Sequence, residues 1–296
     1  MSYQVLITID VEDWFQVENF KRYIPFSSWS TYELCVEENT KFLLDLLDSV
    51  SFQKSTINSY TEKLRATFFV LGWIAERVPH LVKEIHLRGH EVASHGFNHN
   101  LCNECSPAEL RSDLTNTKKL LEDIIGHRVY GYRAPGFSIS HETMKIVEEC
   151  GYSYDSSYNS FRGNKKYGQL ILDRKQKNGI AYRINHDFFE IPISNLSFGK
   201  YALPWGGGGY FRVIPSCFFR RGVRYILTKD KTYLFYIHPW EINPQQPKVR
   251  QAGLFMKFKH YSNLNKAKSK LTQLIECFKE YRFLTCNAYL DAVRNH

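Results

Sequence analysis

The chain has 296 residues, of which 43% are hydrophobic and 15% aromatic, enough for one large core, so we expect a single domain over residues 1–296. Lysine and arginine together exceed aspartate and glutamate by nine, which favours an acidic partner without naming its chemistry. No segment approaches the roughly 18 uninterrupted apolar residues of a membrane span, although contact with a membrane surface stays open. The N-terminal residues have the pattern of a buried strand, and the seven scattered cysteines predict no disulfide framework. We therefore expect a cytoplasmic protein.

Short apolar runs alternate with amphipathic helical patterns along the chain. The predicted strands cover residues 4–9, 66–71, 91–94, 129–132, 188–193, 233–237 and 283–285. Predicted helices include a stretch that ends near residue 48 and the segments 74–88, 106–125, 141–150, 215–227, 267–279 and 287–294. Residues 49–63 and 159–179 have the composition of surface loops. This alternation predicts parallel strands joined by right-handed crossovers, and hence an α/β fold with a doubly wound sheet or a barrel.

Three carboxylates follow the first predicted strand: Asp10, Glu12 and Asp13. The carboxyl edge of a parallel sheet is where α/β active sites are built. Alternation along a strand puts Asp10 and Glu12 on one face. Crowded carboxylates repel each other, and a nearby cation removes that repulsion. A metal site is one interpretation of this cluster, and an acidic turn with a helix cap is the other.

Two histidines, His95 and His99, follow the strand predicted at residues 91–94. Imidazoles four residues apart on a helical turn project to one side and can bind one ion. With a carboxylate from the first strand they form a hydrolytic metal site with open positions. Cys102 and Cys105 extend the pattern to one that superficially fits a structural zinc site. We disfavour that alternative because a chain of this size needs no such staple.

Two further strand ends carry polar residues. Arg133 stands beside Pro135 and Gly136, which indicates a shaped loop with a fixed cation. His238 ends the apolar strand predicted at residues 233–237. Taken alone, each pattern is also compatible with a plain turn or a satisfied core histidine.

The four motifs described above, taken in chain order, resemble those of the polysaccharide deacetylases of the NodB homology type, carbohydrate esterase family four. The likeness is closest to a subgroup found in exopolysaccharide gene clusters, and it covers nearly the whole chain. The motifs are Asp10-Val-Glu-Asp13, Ser94-His-Gly-x-x-His99, Tyr132-Arg-Ala-Pro135 and His238-Pro-Trp-Glu241. The resemblance extends to four other segments, which are Ala66-Thr-Phe-Phe-Val-Leu-Gly-Trp73, Tyr154-Asp-Ser-Ser157, Gly207-Gly-Gly-Tyr-Phe-Arg212 and His260-Tyr-Ser-Asn-Leu264.

The resemblance implies a distorted (β/α)7-type barrel that binds a divalent metal ion, with zinc as the first choice. His95 and His99 would be ligands, together with Glu12 or Asp13, and we favour Glu12. The remaining roles that it implies are Asp10 as base, His238 as general acid, Arg133 as the residue that orients Asp10, Asp155 as the partner of His238, and a backbone N–H near Gly136 as oxyanion donor. Trp205, Tyr210 and Trp240 are candidate sugar-stacking residues, with core packing as the alternative for each.

The function implied is removal of N-acetyl groups from N-acetylhexosamine units of a bacterial surface polysaccharide or its precursor. Its partner would be an N-acetylated glycan or an activated sugar precursor, and we expect no nucleic acid. Two rival hypotheses remain. One is hydrolysis of another non-peptide carbon–nitrogen bond, such as that of a cyclic amide or a formyl group. The other is a catalytically idle glycan-binding module, for which the excess of basic residues is the supporting feature.

Overall fold

A computed structural model describes residues 3–53, 61–163, 167–199 and 201–294. Its strands are β1 (Gln4–Val11), β2 (Ser51–Gln53), β3 (Thr61–Lys63), β4 (Thr67–Val70), β5 (Glu91–Ser94), β6 (Gly131–Tyr132), β7 (Tyr154–Asp155), β8 (Lys177–Asn178), β9 (Ala181–Arg183), β10 (Phe189–Glu190), β11 (Asn195–Phe198), β12 (Tyr201–Pro204), β13 (Thr232–Ile237) and β14 (Arg282–Phe283). Its α-helices are α1 (Val36–Ser49), α2 (Gly72–Arg77), α3 (Pro79–Leu87), α4 (Pro107–Ile125), α5 (His141–Glu149), α6 (Gly208–Val213), α7 (Ser216–Asp230), α8 (Leu254–Tyr261), α9 (Leu264–Phe278) and α10 (Cys286–Arg294).

The main sheet runs in the order β13-β1-β4-β5-β6-β7-β10-β9-β8, and β14 pairs with β1 outside this path. Every neighbouring pair from β13 to β10 is parallel, whereas β9 and β8 add antiparallel strands at one edge. The sheet is a curled half-barrel, which confirms the predicted α/β class. Because its central strands are parallel, their carboxyl ends meet at one edge.

Alternation along β1 separates a helix-facing side from an inner side. Val5, Ile7 and Ile9 pack with apolar residues of the surrounding helices. Leu6 belongs instead to a second cluster that includes Leu290 of α10. Further along the same inner side, Asp10 is buried and contacts polar partners. The inner face of the sheet therefore changes from apolar to charged as β1 approaches its carboxyl end.

Local sequence signals explain where α4 begins and ends. Ser106 and Glu109 form a capping box at its start, in which the Ser106 hydroxyl accepts from the Glu109 backbone N–H. Gly126 ends it in the left-handed conformation at a φ of 70°. These are the start and stop signals that the sequence predicts.

Some predictions need correction or remain open. The segment predicted as one helix over residues 74–88 is two helices, α2 and α3, and α8 lies where no helix is predicted. The predicted loop at residues 49–63 contains the paired strands β2 and β3. Residues 54–60 and 164–166 of the two predicted loops lie outside the described residues. No helix in the described part of the chain is long and apolar enough to cross a membrane. The assignment of residues 1–296 to one domain stays a prediction.

Candidate metal and catalytic site

Three buried side chains converge at the carboxyl edge of the sheet. Glu12, His95 and His99 each offer one ligand atom, and these atoms all lie within 4.8 Å of one another. Glu12 follows β1 and His95 follows β5, so two strands separated by β4 supply the group. A carboxylate and two imidazoles are a donor set that suits zinc and related divalent ions.

The hydrogen bonding of His95 prepares it for a metal. Its Nδ1 lies 2.8 Å from the Arg133 carbonyl oxygen, and since a carbonyl can only accept, Nδ1 must carry the proton. Nε2 is then the nitrogen with a free lone pair, as in metal sites where a second contact fixes the tautomer. Burial lowers the pKa of His95 to about 4, so the neutral, ligating form predominates at neutral pH.

The two oxygens of Glu12 face different neighbours. Oε2 lies 2.9 Å from His99 Nε2, yet this buried atom has no partner with hydrogen-bond geometry among the described residues. Oε1 accepts a hydrogen bond of 3.2 Å from Trp240 Nε1. Burial would raise the pKa of Glu12, but His99 and His238 outweigh it and lower the pKa to about 2. An ionised oxygen without a donor, beside an imidazole nitrogen, is the arrangement that a shared cation would satisfy.

Asp10 lies beside this group and is held by Arg133. Arg133 Nη1 donates 2.6 Å to Asp10 Oδ1, and both side chains are almost fully buried. The same nitrogen donates to the Thr8 hydroxyl, while Nε and Nη2 donate to the carbonyl and hydroxyl oxygens of Ser156. The guanidinium is thus fixed on several sides and holds the Asp10 carboxylate in place. The catalytic role of Arg133 stays a prediction.

His238 lies on the other side of Asp10 and Glu12. Its Nε2 is 3.3 Å from Glu12 Oε1 and 3.9 Å from Asp10 Oδ2, and its Nδ1 is 3.3 Å from Glu241 Oε2. Burial lowers the pKa of His238, but the surrounding carboxylates outweigh it and raise the pKa to about 9. Protonated His238 can therefore donate a proton at neutral pH.

The predicted partnership of Asp155 with His238 is wrong in this structure, because Glu241 occupies that place. Asp155 accepts from the hydroxyl and the backbone N–H of Ser157. Burial raises the pKa of Asp155 and of Glu190, and the two buried carboxyl groups lie close enough to influence each other's pKa. The positive charge of Arg133 favours the ionised form of both carboxyl groups and so partly offsets the effect of burial on their pKa.

Asp13, the alternative to the favoured Glu12, does not belong to the ligand group of Glu12, His95 and His99. Its Oδ1 accepts from the Trp14 backbone N–H at 2.8 Å, and its Oδ2 accepts from the backbone N–H groups of Cys35 and Val36 at 2.7 and 2.8 Å. Both oxygens therefore fix the chain at the start of α1. The acidic-turn interpretation applies to Asp13, and the metal interpretation applies to Glu12.

The rival structural zinc site is not formed. Cys102 Sγ lies 3.1 Å from the Tyr132 hydroxyl, and Cys105 Sγ contacts the Leu101 carbonyl oxygen. Burial raises the pKa of Cys102 to about 12, so its thiol stays protonated. Neither cysteine belongs to the ligand group of His95 and His99 in the described part of the chain.

The aromatic candidates separate into two groups. Tyr210, which is 38% exposed, and buried Trp240 line the cavity over the metal group. Trp240 stacks between His238 and His260, so it forms a wall of the cavity. Trp205 is a correction, because it stacks on Phe219 and donates its indole N–H to the Phe219 carbonyl oxygen, which makes it a packing residue.

Gly136 lines the cavity in a loop with two successive left-handed residues. Its φ is 59° and that of Phe137 is 58°. A Cβ at Gly136 would lie 2.8 Å from the Leu101 side chain, so the position requires glycine both for its conformation and for space. The predicted role of a backbone N–H near Gly136 stays a prediction.

Sequence reasoning assigned no role to Glu241 or Arg212. Buried Arg212 pairs with Glu241 at 3.2 Å, and Glu241 in turn contacts His238. Both residues lie in sequence motifs that resemble those of the family. The three-residue spacing from His238 to Glu241 across a turn was the available signal.

Two family models match adjacent parts of the chain. One described as polysaccharide deacetylase matches residues 58–154, and one described as a domain of unknown function, DUF3473, matches residues 156–291. Among curated proteins, the chain is 32% identical over 115 residues to a peptidoglycan deacetylase-like protein of Gibberella zeae, covering 39% of this chain and 31% of the relative. It is 34% identical over 90 residues to a peptidoglycan-N-acetylglucosamine deacetylase of Bacillus cereus, covering 30% of this chain and 42% of the relative. The matched segments thus span less than half of either relative.

Solved structures share the fold over nearly the whole chain. A polysaccharide deacetylase homologue from Mycobacterium smegmatis has a TM-score of 0.59 at 18% identity and covers 99% of this chain and 90% of that one. The allantoinase PuuE has a TM-score of 0.60 at 14% identity, with coverage of 98% and 89%. These likenesses show the fold, and the range matched by the polysaccharide deacetylase model, residues 58–154, contains His95, His99 and Arg133. Residues 58–154 therefore match the polysaccharide deacetylase family model, and the chain shares its fold with these two solved structures.

Proposed function

We propose that this protein is a metal-dependent hydrolase that removes N-acetyl groups from N-acetylhexosamine units of a bacterial surface polysaccharide or its precursor. The observation that carries the proposal is the convergence of Glu12, His95 and His99 within 4.8 Å, with Asp10 and His238 beside them. Relatives named peptidoglycan and chitooligosaccharide deacetylases support the reaction class. The sequence segments that resemble the exopolysaccharide subgroup support the choice of a surface polysaccharide.

The donor set fits a divalent ion, and zinc is our first choice because imidazole nitrogen and carboxylate oxygen are common zinc ligands. When bound, such an ion would polarise the acetamide carbonyl group and lower the pKa of water. The ionised, donor-free Oε2 of Glu12 and the free Nε2 of His95 are the atoms that match it.

The residues around the metal group supply the proton transfers. Asp10, held by Arg133, accepts the proton of the attacking water. As the carbon–nitrogen bond breaks, His238 donates a proton from Nε2 to the departing amine nitrogen. Acetate and a free amine result, so the reaction consumes one water molecule. Glu241 keeps His238 oriented and protonated through the contact at Nδ1.

The test is acetate release from a panel of N-acetylhexosamine oligosaccharides, lipid-linked precursors and nucleotide sugars, with and without a chelator. The proposal predicts equimolar acetate and free amine, loss of both with the chelator, and recovery when zinc is added back. Metal-independent hydrolysis of a cyclic amide or a formyl group would favour the first rival hypothesis. Glycan binding that is unchanged in an Asp10→Asn variant, without acetate release by the metal-loaded wild type, would favour the idle binding module.

A further inference from the structure

Helix α8 exposes three large apolar side chains on one side. Leu254, Phe255 and Phe258 are 85%, 78% and 64% exposed. Their spacing of one and four residues puts them on a common helical face. Met256 packs against the core and His260 is buried, so the inward face is a different one. Scattered apolar side chains are ordinary on protein surfaces, but a cluster of this kind marks an interaction site.

The chain around this helix carries charge of one sign. Residues 242–275 contain seven lysine and arginine residues and no aspartate or glutamate. Lys248 and Arg250 are exposed, and with Lys257 and Phe258 they line a surface cavity. The Lys257 ammonium group donates to the Arg250 carbonyl oxygen, which joins the loop to the helix. The apolar face of α8 thus has a basic rim.

The opposite face of α8 is fixed to the candidate site. Arg212 donates to the carbonyl oxygens of Lys259, His260 and Ser262 at the end of the helix. The same guanidinium pairs with Glu241. Lys259 and His260 also line the cavity over the metal group. The exposed face and the cavity are therefore on different sides of the same helix.

We propose that α8 is a membrane-interface helix whose exposed face docks on an anionic lipid surface. Leu254, Phe255 and Phe258 enter the headgroup region, and Lys248 and Arg250 meet lipid phosphates. A second copy of this chain is a poorer occupant, because two basic rims would face each other. Docking would present the cavity to glycans held at a membrane. The lipid contact itself does not depend on the proposed hydrolytic function.

The experiment is flotation of the full-length chain with vesicles of phosphatidylglycerol in phosphatidylcholine, compared with phosphatidylcholine alone. The test variant combines Leu254→Ser, Phe255→Ser and Phe258→Ser. Its matched control combines Leu87→Ser and Ile171→Ser. These substitutions remove apolar side chains that lie outside α8 and are 73% and 88% exposed. A charge variant, Lys248→Gln with Arg250→Gln, tests the rim, and circular dichroism checks folding.

We expect binding to the anionic vesicles that weakens with added salt. The triple variant should lower the vesicle partition coefficient by roughly tenfold or more, and the charge variant should lower it on anionic vesicles only. The control should bind like wild type. If the triple variant fails to fold, the charge variant and the salt series decide. The proposal is overturned if the wild-type protein does not bind anionic vesicles, or if the triple variant binds them as strongly as the wild type. It is also overturned if light scattering shows that the triple substitution dissociates a dimer and has no effect on vesicle binding. Since acetate release is not measured, failure here leaves the proposed function standing.

Discussion

Two buried histidines at opposite ends of β5 have nearly the same pKa and different neighbours. His90 precedes the strand and His95 follows it, and burial lowers the pKa of each to about 4. His90 Nδ1 accepts from the Ala66 backbone N–H, and His90 belongs to no group of three ligand-type side chains in the described residues. His95 instead turns its free nitrogen toward Glu12 and His99. Burial and a displaced pKa therefore do not identify a functional histidine, whereas its position at the carboxyl edge and its neighbours do.

The same contrast holds for the sheet interior as a whole. At the amino end, Leu6 and Leu290 belong to an apolar cluster that stabilises the fold. At the carboxyl end, Asp10 and Arg133 form a buried ion pair, and burying charges costs free energy that the pair only partly returns. Substitutions at the two ends should therefore affect different measurements.

The largest expected effect is that of Asp10→Asn on catalysis. Loss of the base should lower kcat for acetate release by about 10²- to 10⁴-fold, with metal content unchanged. The matched control is Asp13→Asn, since Asp13 caps the start of α1 and should leave kcat of the folded, metal-loaded protein near wild type. A kcat for Asp10→Asn within a few-fold of wild type would contradict the assigned role.

At the amino end, Leu290→Ala should lower the free energy of unfolding by about 2–5 kcal/mol, because it leaves a cavity in the apolar cluster. Urea denaturation measures this, and kcat of the remaining folded protein should not change. The control is Leu254→Ala on α8, where an 85% exposed side chain is removed and stability should change by less than about 0.5 kcal/mol. Equal losses in the two variants would argue against the packing described for α10.

His90 predicts a pH dependence of stability. Its pKa is lower in the folded protein than the ordinary value of 6.5, so the stability that it contributes is present above pH 6.5 and is lost as the pH falls toward 4. In protein from which metal has been removed with a chelator, His90→Asn should reduce the loss of unfolding free energy between pH 6.5 and pH 4, by up to roughly 3 kcal/mol. His186→Asn, at a histidine whose side chain is 91% exposed, is the control and should leave the curve unchanged. A curve that is not altered by His90→Asn would refute this interpretation.

Glu241→Gln should move the pH profile of the reaction. Although burial lowers the pKa of His238, Glu12 and Glu241 raise it, so removing the charge of Glu241 should lower that pKa. Because the acid must be protonated, the alkaline fall in kcat should then begin at lower pH. Glu276→Gln, on a half-exposed side chain, is the control. An alkaline limb that does not move would show that Glu241 has no influence on His238.

The smallest effect concerns the aromatic residues. Tyr210→Ala should raise KM a few-fold, equivalent to roughly 1 kcal/mol of stacking, with little change in kcat. Trp205→Ala should lower the melting temperature through loss of its contact with Phe219 and leave KM unchanged. The reverse pattern would return Trp205 to the substrate site.

Apolar periodicity predicted the central elements well. β5 has the predicted bounds, and α4 begins and ends at its capping residues. β7 was not predicted because two residues, Tyr154 and Asp155, are too short to show a period. α8 was not predicted because apolar residues lie on both of its faces, so no amphipathic pattern points inward.

Within the site, the family resemblance favoured Glu12 over Asp13 in agreement with strand alternation, and the structure puts Glu12 with the histidines. The spacing from His238 to Glu241 was too weak a signal to choose the partner of His238. Asp155 was taken from the family resemblance, whereas Glu241 follows His238 in a turn whose geometry only the fold reveals. Trp205 and Tyr210 are close in sequence, and only packing tells them apart. The cytoplasmic location stays a prediction.

Metal analysis of purified variants tests the central claim most directly. Elemental analysis should find about one divalent ion per chain in the wild type, none in Glu12→Gln or His99→Ala, and the wild-type amount in Asp13→Asn and in a variant combining Cys102→Ser with Cys105→Ser. An ion that survives Glu12→Gln but is lost with Asp13→Asn or with the cysteines would contradict the account.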